Sequence, residues 1–599
     1  MSRRPIFPTV GIAQRRSGPP RVAPPRAATC FRQPDERPTE IAVTPPTEQH
    51  STATSGAAQP DLVILARVIH TLDPDLGDVD ALALRDGVVV AGGDRGLAAA
   101  WAAGGARLVD LGDAAVTPGL VDAHIHPISG LELARGVDLS GCEDLAAVER
   151  ALAAAADAVA PDAWVSGWGL DPNVFGTTEP NGGVLDIACG GRPAFVMLFD
   201  AHSAIVSRAA LALAGITGER SFPDASRIVV GADGVPTGLL LENEAMRLVE
   251  SIKPTESFAE RVAHLVDVLT GMASTGITAG HVMDMHDADA IAVLEAAEAT
   301  GDLPIRLRLS PMCVPGMTDA EFDALVELQG RRGRRWVVEG VKLMIDGTID
   351  NGTAWLREPD TRGESTDSLW LDPAEYTRRV SALHARGVPT ATHAIGDKAI
   401  EVVVRTLADL PRTGIQHRVE HIETLPDDVL AVFAEAGIAA SMQPTHCTHY
   451  TRADQTDNWS VRLGPERADR AWRIGDLRAA GVTVALGSDW PVAPYDARAS
   501  IADAILRRPA LKPHVAPVRP GQAVSALQAL EGYTTHAFAS IGAVGGTLAV
   551  GAPADLAAFA IDPLDSDPDA FAGSDVVLTL IDGAAVIGGA LIDDVRVDA

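Results

Sequence analysis

The chain has 599 residues, 47% of them hydrophobic and 22% charged, so it reads as a globular protein able to bury a large core and form more than one structural unit. Its formal net charge of -31 disfavours a nucleic-acid backbone or an anionic membrane as partner, although a few groups around a metal can outweigh that average locally. Five cysteines (Cys30, Cys142, Cys189, Cys313 and Cys447) share no short spacing and are odd in number, which argues against a disulfide framework or a zinc knuckle. Cys447 reads as a buried or pocket-lining thiol.

Residues 1–58 are rich in Pro, Arg, Ser and Thr with weak periodicity, and are expected to be an irregular tail. The start is basic but lacks the apolar run of a secretory signal, and no stretch reads as a membrane span, so a cytoplasmic location is expected. From residue 59 to 115, "DLVILARVIHTLD" and "DALALRDGVVVAGG" have the texture of short strands. "GTLAVGAPADLAAFAIDP" and "DVVLTLIDGAAVIGGA", between 540 and 599, have the same texture. A sheet built from both chain ends would bury apolar faces that neither segment covers alone.

Between these ends, over 116–539, short apolar runs alternate with helical stretches such as "YTRRVSALHARG", "AIEVVVRTLADL" and "LRAAG". The runs are "AVTPGLVDAHIH", "AFVMLFDAH", "ITAGHVMD", "IRLRLSP", "WVVEGVKLMIDG", "VPTATHAIGD", "TGIQHRVEHI", "GIAASMQPTH" and "GVTVALGSDW". This rhythm fits an α/β barrel of parallel strands whose carboxyl ends gather chemistry at one mouth. The stretch 130–255 is too long for an ordinary strand-to-helix connection and is expected to be an inserted cap at the rim.

Chemistry-bearing residues stand at the ends of these runs. In "PGLVDAHIHP", His124 and His126 are two apart, so on an extended strand end they share one face and can bind one metal, with Asp122 orienting them. In "GVKLMIDGT", Lys342 follows a strand; as an ammonium it repels a cation, whereas a carbamylated lysine presents a carboxylate able to bridge two. "PTATHAIGDKA" offers His393, with Asp397 read as the stabiliser of a turn or helix entrance. "QHRVEHIE" offers His421 as the preferred ligand and His417 as a structural helper. In "VALGSDWP", Asp489 ends a strand and can bind metal and exchange a proton with activated water.

In joint order these segments resemble the amidohydrolase superfamily, and more narrowly the amidohydrolase-3 family, from about residue 61 to the end. The resemblance implies a distorted (β/α)8 TIM barrel with a small β-sandwich formed by both chain ends. It implies that His124 and His126 bind one metal and His393 and His421 another, with an N6-carboxylated Lys342 bridging them. Asp489 would contact the first metal and handle protons. In "LFDAHSAIVSRAAL", His202 matches a family histidine near the substrate mouth, but Ala201 replaces the usual glycine and Ser207 the usual asparagine. Glu242 in "GVPTGLLLENEA", Gln443 and His446 in "SMQPTHCTHY", and the aromatic surfaces of Trp168 and Trp490 are further candidates for substrate contact.

The expected reaction is hydrolysis of a non-peptide carbon–nitrogen bond in a small amide, cyclic amide or N-substituted formamide, with one or two zinc ions activating water. The alternatives are a deaminase or esterase-like hydrolase and, outside the enzymes, a metal-stabilised scaffold. The expected partner is a small-molecule substrate; a homodimer is compatible with the size, without an interface argument from sequence.

Overall fold

Eight short, largely buried strands form a parallel barrel: β1 (Leu120–Ile125), β2 (Ile277–Met285), β3 (Arg306–Cys313), β4 (Val341–Met344), β5 (Thr390–Ala394), β6 (Arg418–His421), β7 (Ala439–Met442) and β8 (Val484–Leu486). Both faces of these strands are covered, so the polar residues within them, such as Lys342 and Glu420, are buried. The computed structural model describes residues 59–142, 144–176, 178–222, 226–285 and 289–593; the tail expected over 1–58 lies outside them. Each strand pairs in parallel with the next, from β1·β2 to β7·β8.

Closure between β8 and β1 is made just past the end of β8. Asp489 N donates to His124 O at 2.8 Å and His126 N to Trp490 O at 2.9 Å, with a parallel bridge between Ile125 and Trp490. Gly487 permits this approach: a Cβ there would lie 2.6 Å from His124 N and 2.8 Å from Asp122 Oδ1.

Helices cover the barrel. Asp397–Ala408 buries Ala399, Ile400, Val403, Val404 and Leu407, the stripe expected of a helix lying on a barrel wall. Phe258–Ala273 starts at a capping box in which Ser257 and Glu260 satisfy each other's backbone N–H groups. Among the described residues no helix is long and apolar enough to cross a membrane.

Two sequence expectations change. "AFVMLFDAH" is not a barrel strand: Ala194–Leu198 lies in a separate six-stranded sheet made by Val137–Asp138, Val165–Leu170, Ala194–Leu198, Ser203–Val206, Arg227–Val230 and Pro236–Leu241. A wholly buried strand is apolar in either sheet, so its composition cannot assign it. "WVVEGVKLMIDG" is two strands, Trp336–Val338 and β4, separated at Gly340, whose φ of 95° breaks the extended chain.

The chain ends meet in an eight-stranded sheet ordered Ala584–Ile587, Val576–Ile581, Leu556–Phe559, Ala115–Pro118, Leu62–Ile69, Val79–Arg85 and Val88–Gly93, with Arg107–Asp110 beside Leu62–Ile69. This is the β-sandwich beside the distorted barrel. Leu62, Ile64 and Leu82 from one end pack with Leu556, Leu578 and Leu580 from the other. His70 Nε2 and Arg67 Nη2 both reach Asp562, at 3.0 and 2.7 Å.

Candidate metal centre

The carboxyl ends of β1, β4, β5, β6 and β8 bring His124, His126, Lys342, His393, His421 and Asp489 around one point. His124 Nε2 is 3.2 Å from Lys342 Nζ and 3.4 Å from Asp489 Oδ1. His126 Nε2 is 2.8 Å from Asp489 Oδ1. His421 Nδ1 and His446 Nε2 lie 3.8 and 3.6 Å from Asp489 Oδ2. The His421 ring is 4.8 Å from that of His124 and 4.4 Å from that of His393.

The donor atoms suit a divalent cation. Those of His124, His126 and Asp489 lie within 4.8 Å of one another, as do those of His421, His446 and Asp489. His421 Nδ1 and His446 Nε2 are buried and complete no hydrogen bond, an unfavourable state that a cation between them and Asp489 would relieve. His393 differs: its Nε2 is 3.2 Å from Gly347 O, so the atoms grouped with His421 are those of His446 and Asp489. A divalent metal is therefore the cofactor that this site is built to hold.

Electrostatics point the same way. Burial, reinforced by Lys342, pushes His124 well below its ordinary value, and burial with His202 does so for His393. For His421 the causes are burial and the neighbouring His393. All three are thereby neutral and able to ligate. Burial pulls Asp489 upward, but His124, His126 and His446 outweigh it and keep the group an anion. Burial lowers Lys342 to about 8.

A surrounding layer holds these groups. Glu420, one residue before His421, accepts from His124 Nδ1 at 2.7 Å, which directs Nε2 to the centre. Arg418 Nε lies 2.6 Å from the other Glu420 oxygen. Neither residue was singled out from the sequence, because the partner of Glu420 is 296 positions away. Asp122 accepts from His124 N at 3.1 Å and Ser488 N at 3.0 Å, tying β1 to the loop after β8. Asp346, with no sequence signal of its own, accepts from Ile395 N, Gly396 N and Trp355 N and fixes the turn after His393.

His202 comes from the separate sheet and reaches the barrel mouth, its ring 5.2 Å from that of His393. Its Nδ1 is 2.9 Å from Glu242 Oε2. Burial alone would lower its pKa, but Glu242 and Asp200 raise it to about 9. His417 sits away from the centre, between His384 and Thr390. Asp397 is the first residue of its helix and accepts from Arg357 N at 2.7 Å.

A cavity of about 950 Å³ opens from this centre and is lined by His126, Lys342, His393, His421, His446, His202 and Asp489 among others. Four residues expected at the substrate are not among its lining residues: Glu242 stands behind His202, and Gln443 is buried with both amide atoms unpaired. Trp168 packs against the apolar cluster of Phe195 and Met197, and Trp490 belongs to the barrel core. Large apolar rings near a site are as useful for packing as for binding. Cys447 is buried, its Sγ 3.1 Å from Arg507 Nη2, and the four described cysteines are free.

The sequence profile of the Amidohydrolase family (Amidohydro_3) matches residues 107–587, which span the barrel and every residue of this centre. The chain belongs to this family. As an amidohydrolase it is a metal-dependent hydrolase of carbon–nitrogen bonds other than peptide bonds. It is 27% identical over 537 residues to YtcJ of Bacillus subtilis (strain 168), named as an amidohydrolase, covering 86% of this chain and 98% of that protein. It is 24% identical over 548 residues to the N-substituted formamide deformylase of Arthrobacter pascens, covering 87% and 97%. Its fold is similar to the crystal structure of a metal-dependent hydrolase from Pyrococcus horikoshii, with a TM-score of 0.64, 23% identity and coverage of 84% and 98%.

Proposed function

We propose that this amidohydrolase hydrolyses a small amide, cyclic amide or N-substituted formamide at a zinc centre. The observation that carries the reading is the pair of histidine–histidine–aspartate sets sharing Asp489, which lines the cavity with His126, His421 and His446. The N-substituted formamide deformylase of Arthrobacter pascens, similar over nearly its whole length, supports the choice of substrate class.

In this reading His124, His126 and Asp489 hold one zinc ion, and His421, His446 and Asp489 supply the second set. His393, whose Nε2 lies 3.2 Å from Gly347 O, would be a further ligand available to that set. Carbamylation adds carbon dioxide to an unprotonated amine with loss of a proton, and burial, by lowering Lys342 to about 8, leaves part of it unprotonated near neutral pH; the product would be a carboxylate able to ligate metal. Zinc held by these residues would supply Lewis-acid chemistry, lowering the pKa of water and polarising a carbonyl.

Asp489 takes the proton released from water and returns it to the leaving nitrogen. Glu420 holds the His124 ring against rotation throughout. His202, raised to about 9 by Glu242 and Asp200 against the effect of burial, is protonated at neutral pH and donates to the oxygen on which charge develops. The inserted sheet that carries His202 is read as a cap over the substrate mouth.

The test combines metal exchange with product analysis. Turnover of N-benzylformamide should vanish on chelation and return with zinc, and Asp489→Asn should lower kcat by about 10²-fold or more. Formate and amine should be the products by mass spectrometry; release of ammonia, or hydrolysis of esters alone, would redirect the reading to a deaminase or an esterase. Carbon-13 bicarbonate should give a carbamate resonance that Lys342→Met lacks.

A further inference from the structure

Beneath the metal centre, the barrel interior holds a buried arginine that the proposed chemistry does not use. Arg418 opens β6 and Glu420 stands two residues on, so their side chains share one face of the strand, while Val419 between them packs in the apolar core. Arg418 is 2% and Glu420 0% exposed. Among the described residues Arg418 is the one lysine or arginine in contact with Glu420, its Nε 2.6 Å from Oε1. Neither of these two atoms completes a hydrogen bond, so the contact is one of charge.

The rest of the guanidinium is held by neutral acceptors from other segments. Nη1 donates to His281 Nδ1 on β2 at 2.9 Å and to Ser540 Oγ at 3.3 Å, and Nη2 donates to Ala123 O on β1 at 2.8 Å. Ala123 immediately precedes His124. Arg418 therefore reaches that candidate ligand twice, through the backbone of β1 and through Glu420, whose Oε2 accepts from the ring Nδ1 at 2.7 Å.

A carboxylate can only accept, so this contact keeps the imidazole proton on Nδ1 and leaves the Nε2 lone pair for a metal. A buried carboxylate is costly without a cation, and lacking Arg418 the Glu420 charge would be left to the His124 ring, in competition with a metal. Lys342 does not replace Arg418. Its Nζ lies 3.2 Å from His124 Nε2, on the metal side of the ring, and carbamylation, in the proposed reading, removes its positive charge.

We infer that Arg418 is a positioning residue of the metal centre: from below, its guanidinium balances Glu420 and anchors Ala123, and so keeps His124 in the form and place that bind metal. The inference rests on the proposed zinc reading of the site and concerns affinity for the ion, not the choice of substrate.

Titration of the metal-free full chain with zinc, in competition with a chromophoric chelator, decides it. Arg418→Met should weaken zinc binding about ten-fold or more, as loss of a group behind a metal ligand does, whereas Arg418→Lys, which keeps the charge, should stay within about three-fold of wild type. Adding Glu420→Gln to Arg418→Met should recover most of the loss, because glutamine still accepts from His124 and needs no cation. A packing role predicts the opposite, a double variant that binds no better than Arg418→Met. Circular dichroism and melting of the metal-free proteins check each fold; if Arg418→Met does not fold, Arg418→Gln, which still donates toward Ala123 O without the charge, takes its place. Wild-type affinity in the charge-free single variant, equal losses in it and in Arg418→Lys, or a double variant that recovers nothing overturns the inference and leaves the zinc reading standing. A wild type that takes up no zinc overturns both.

Discussion

Ala201 holds φ at 56°, in the region where an L side chain crowds its own backbone, immediately before His202. Such a residue costs about 1–2 kcal/mol, whereas glycine there loses roughly 0.5–1 kcal/mol through the freedom of its unfolded chain. Ala201→Gly should therefore stabilise the protein by a fraction of a kcal/mol, seen as a higher denaturant midpoint with unchanged slope; a lower midpoint would show that the alanine methyl contributes packing that outweighs strain. The resemblance that expects a glycine at this position thus has a local physical reason. His421, Asp489 and Glu242 also hold positive φ, of 70°, 62° and 62°, so strain gathers where side chains must be aimed.

At the scale of elements, the seam between β8 and β1 depends on Gly487. Its substitution by alanine puts a methyl against backbone and a buried carboxylate, and overpacking of this kind costs about 1–3 kcal/mol. Gly487→Ala should lower Tm and, because His124 and Asp489 face each other across the seam, reduce zinc content measured by mass spectrometry. Full zinc content with an unchanged Tm would show that the seam tolerates the methyl.

The other joint is between the chain ends, at His70 and Asp562. Burial lowers the His70 pKa, but Asp562 and Asp78 outweigh it and raise the group above its ordinary value. Burial raises Asp562, but His70, Leu564 N and Arg67 outweigh it and hold the group below the carboxylate range. The His70 contribution is full below about 6.5 and is lost as pH rises through its folded value; that of Asp562 is full above about 3.9 and is lost as pH falls. Asp562→Asn should accordingly cost about 1–3 kcal/mol near pH 6 and less near pH 9, by thermal melts at both. An equal loss at both would place the effect on Arg67 alone.

For the whole molecule, metal and fold are linked, because the donors of the centre come from segments hundreds of residues apart. Any ligand bound only to the folded chain stabilises it, by about 2.7 kcal/mol at one hundred times its Kd. Chelation should lower Tm and zinc should restore it, while Asp489→Asn should show a smaller zinc-dependent rise. A Tm indifferent to zinc in the wild type would mean that the cluster binds the ion weakly or not at all.

Much was legible because strand burial and ligand chemistry are local. Apolar runs ending in His124, Lys342, His393, His421 and Asp489 announce strands with polar ends, and those strands are β1, β4, β5, β6 and β8. The run ending in His202 follows the same rule yet belongs to another sheet, since composition records burial and not neighbours. Glu420 reads as one acidic residue in a strand, and its function as the clamp of His124 exists only once β6 and β1 close on the same centre. Periodicity and residue type are properties of a segment, and they pointed to the barrel class and to candidate donors such as His124, His126 and Asp489. Which nitrogen faces the centre and that His446 groups with His421 were decided by tertiary structure alone, because each depends on distances between residues that the chain itself keeps far apart.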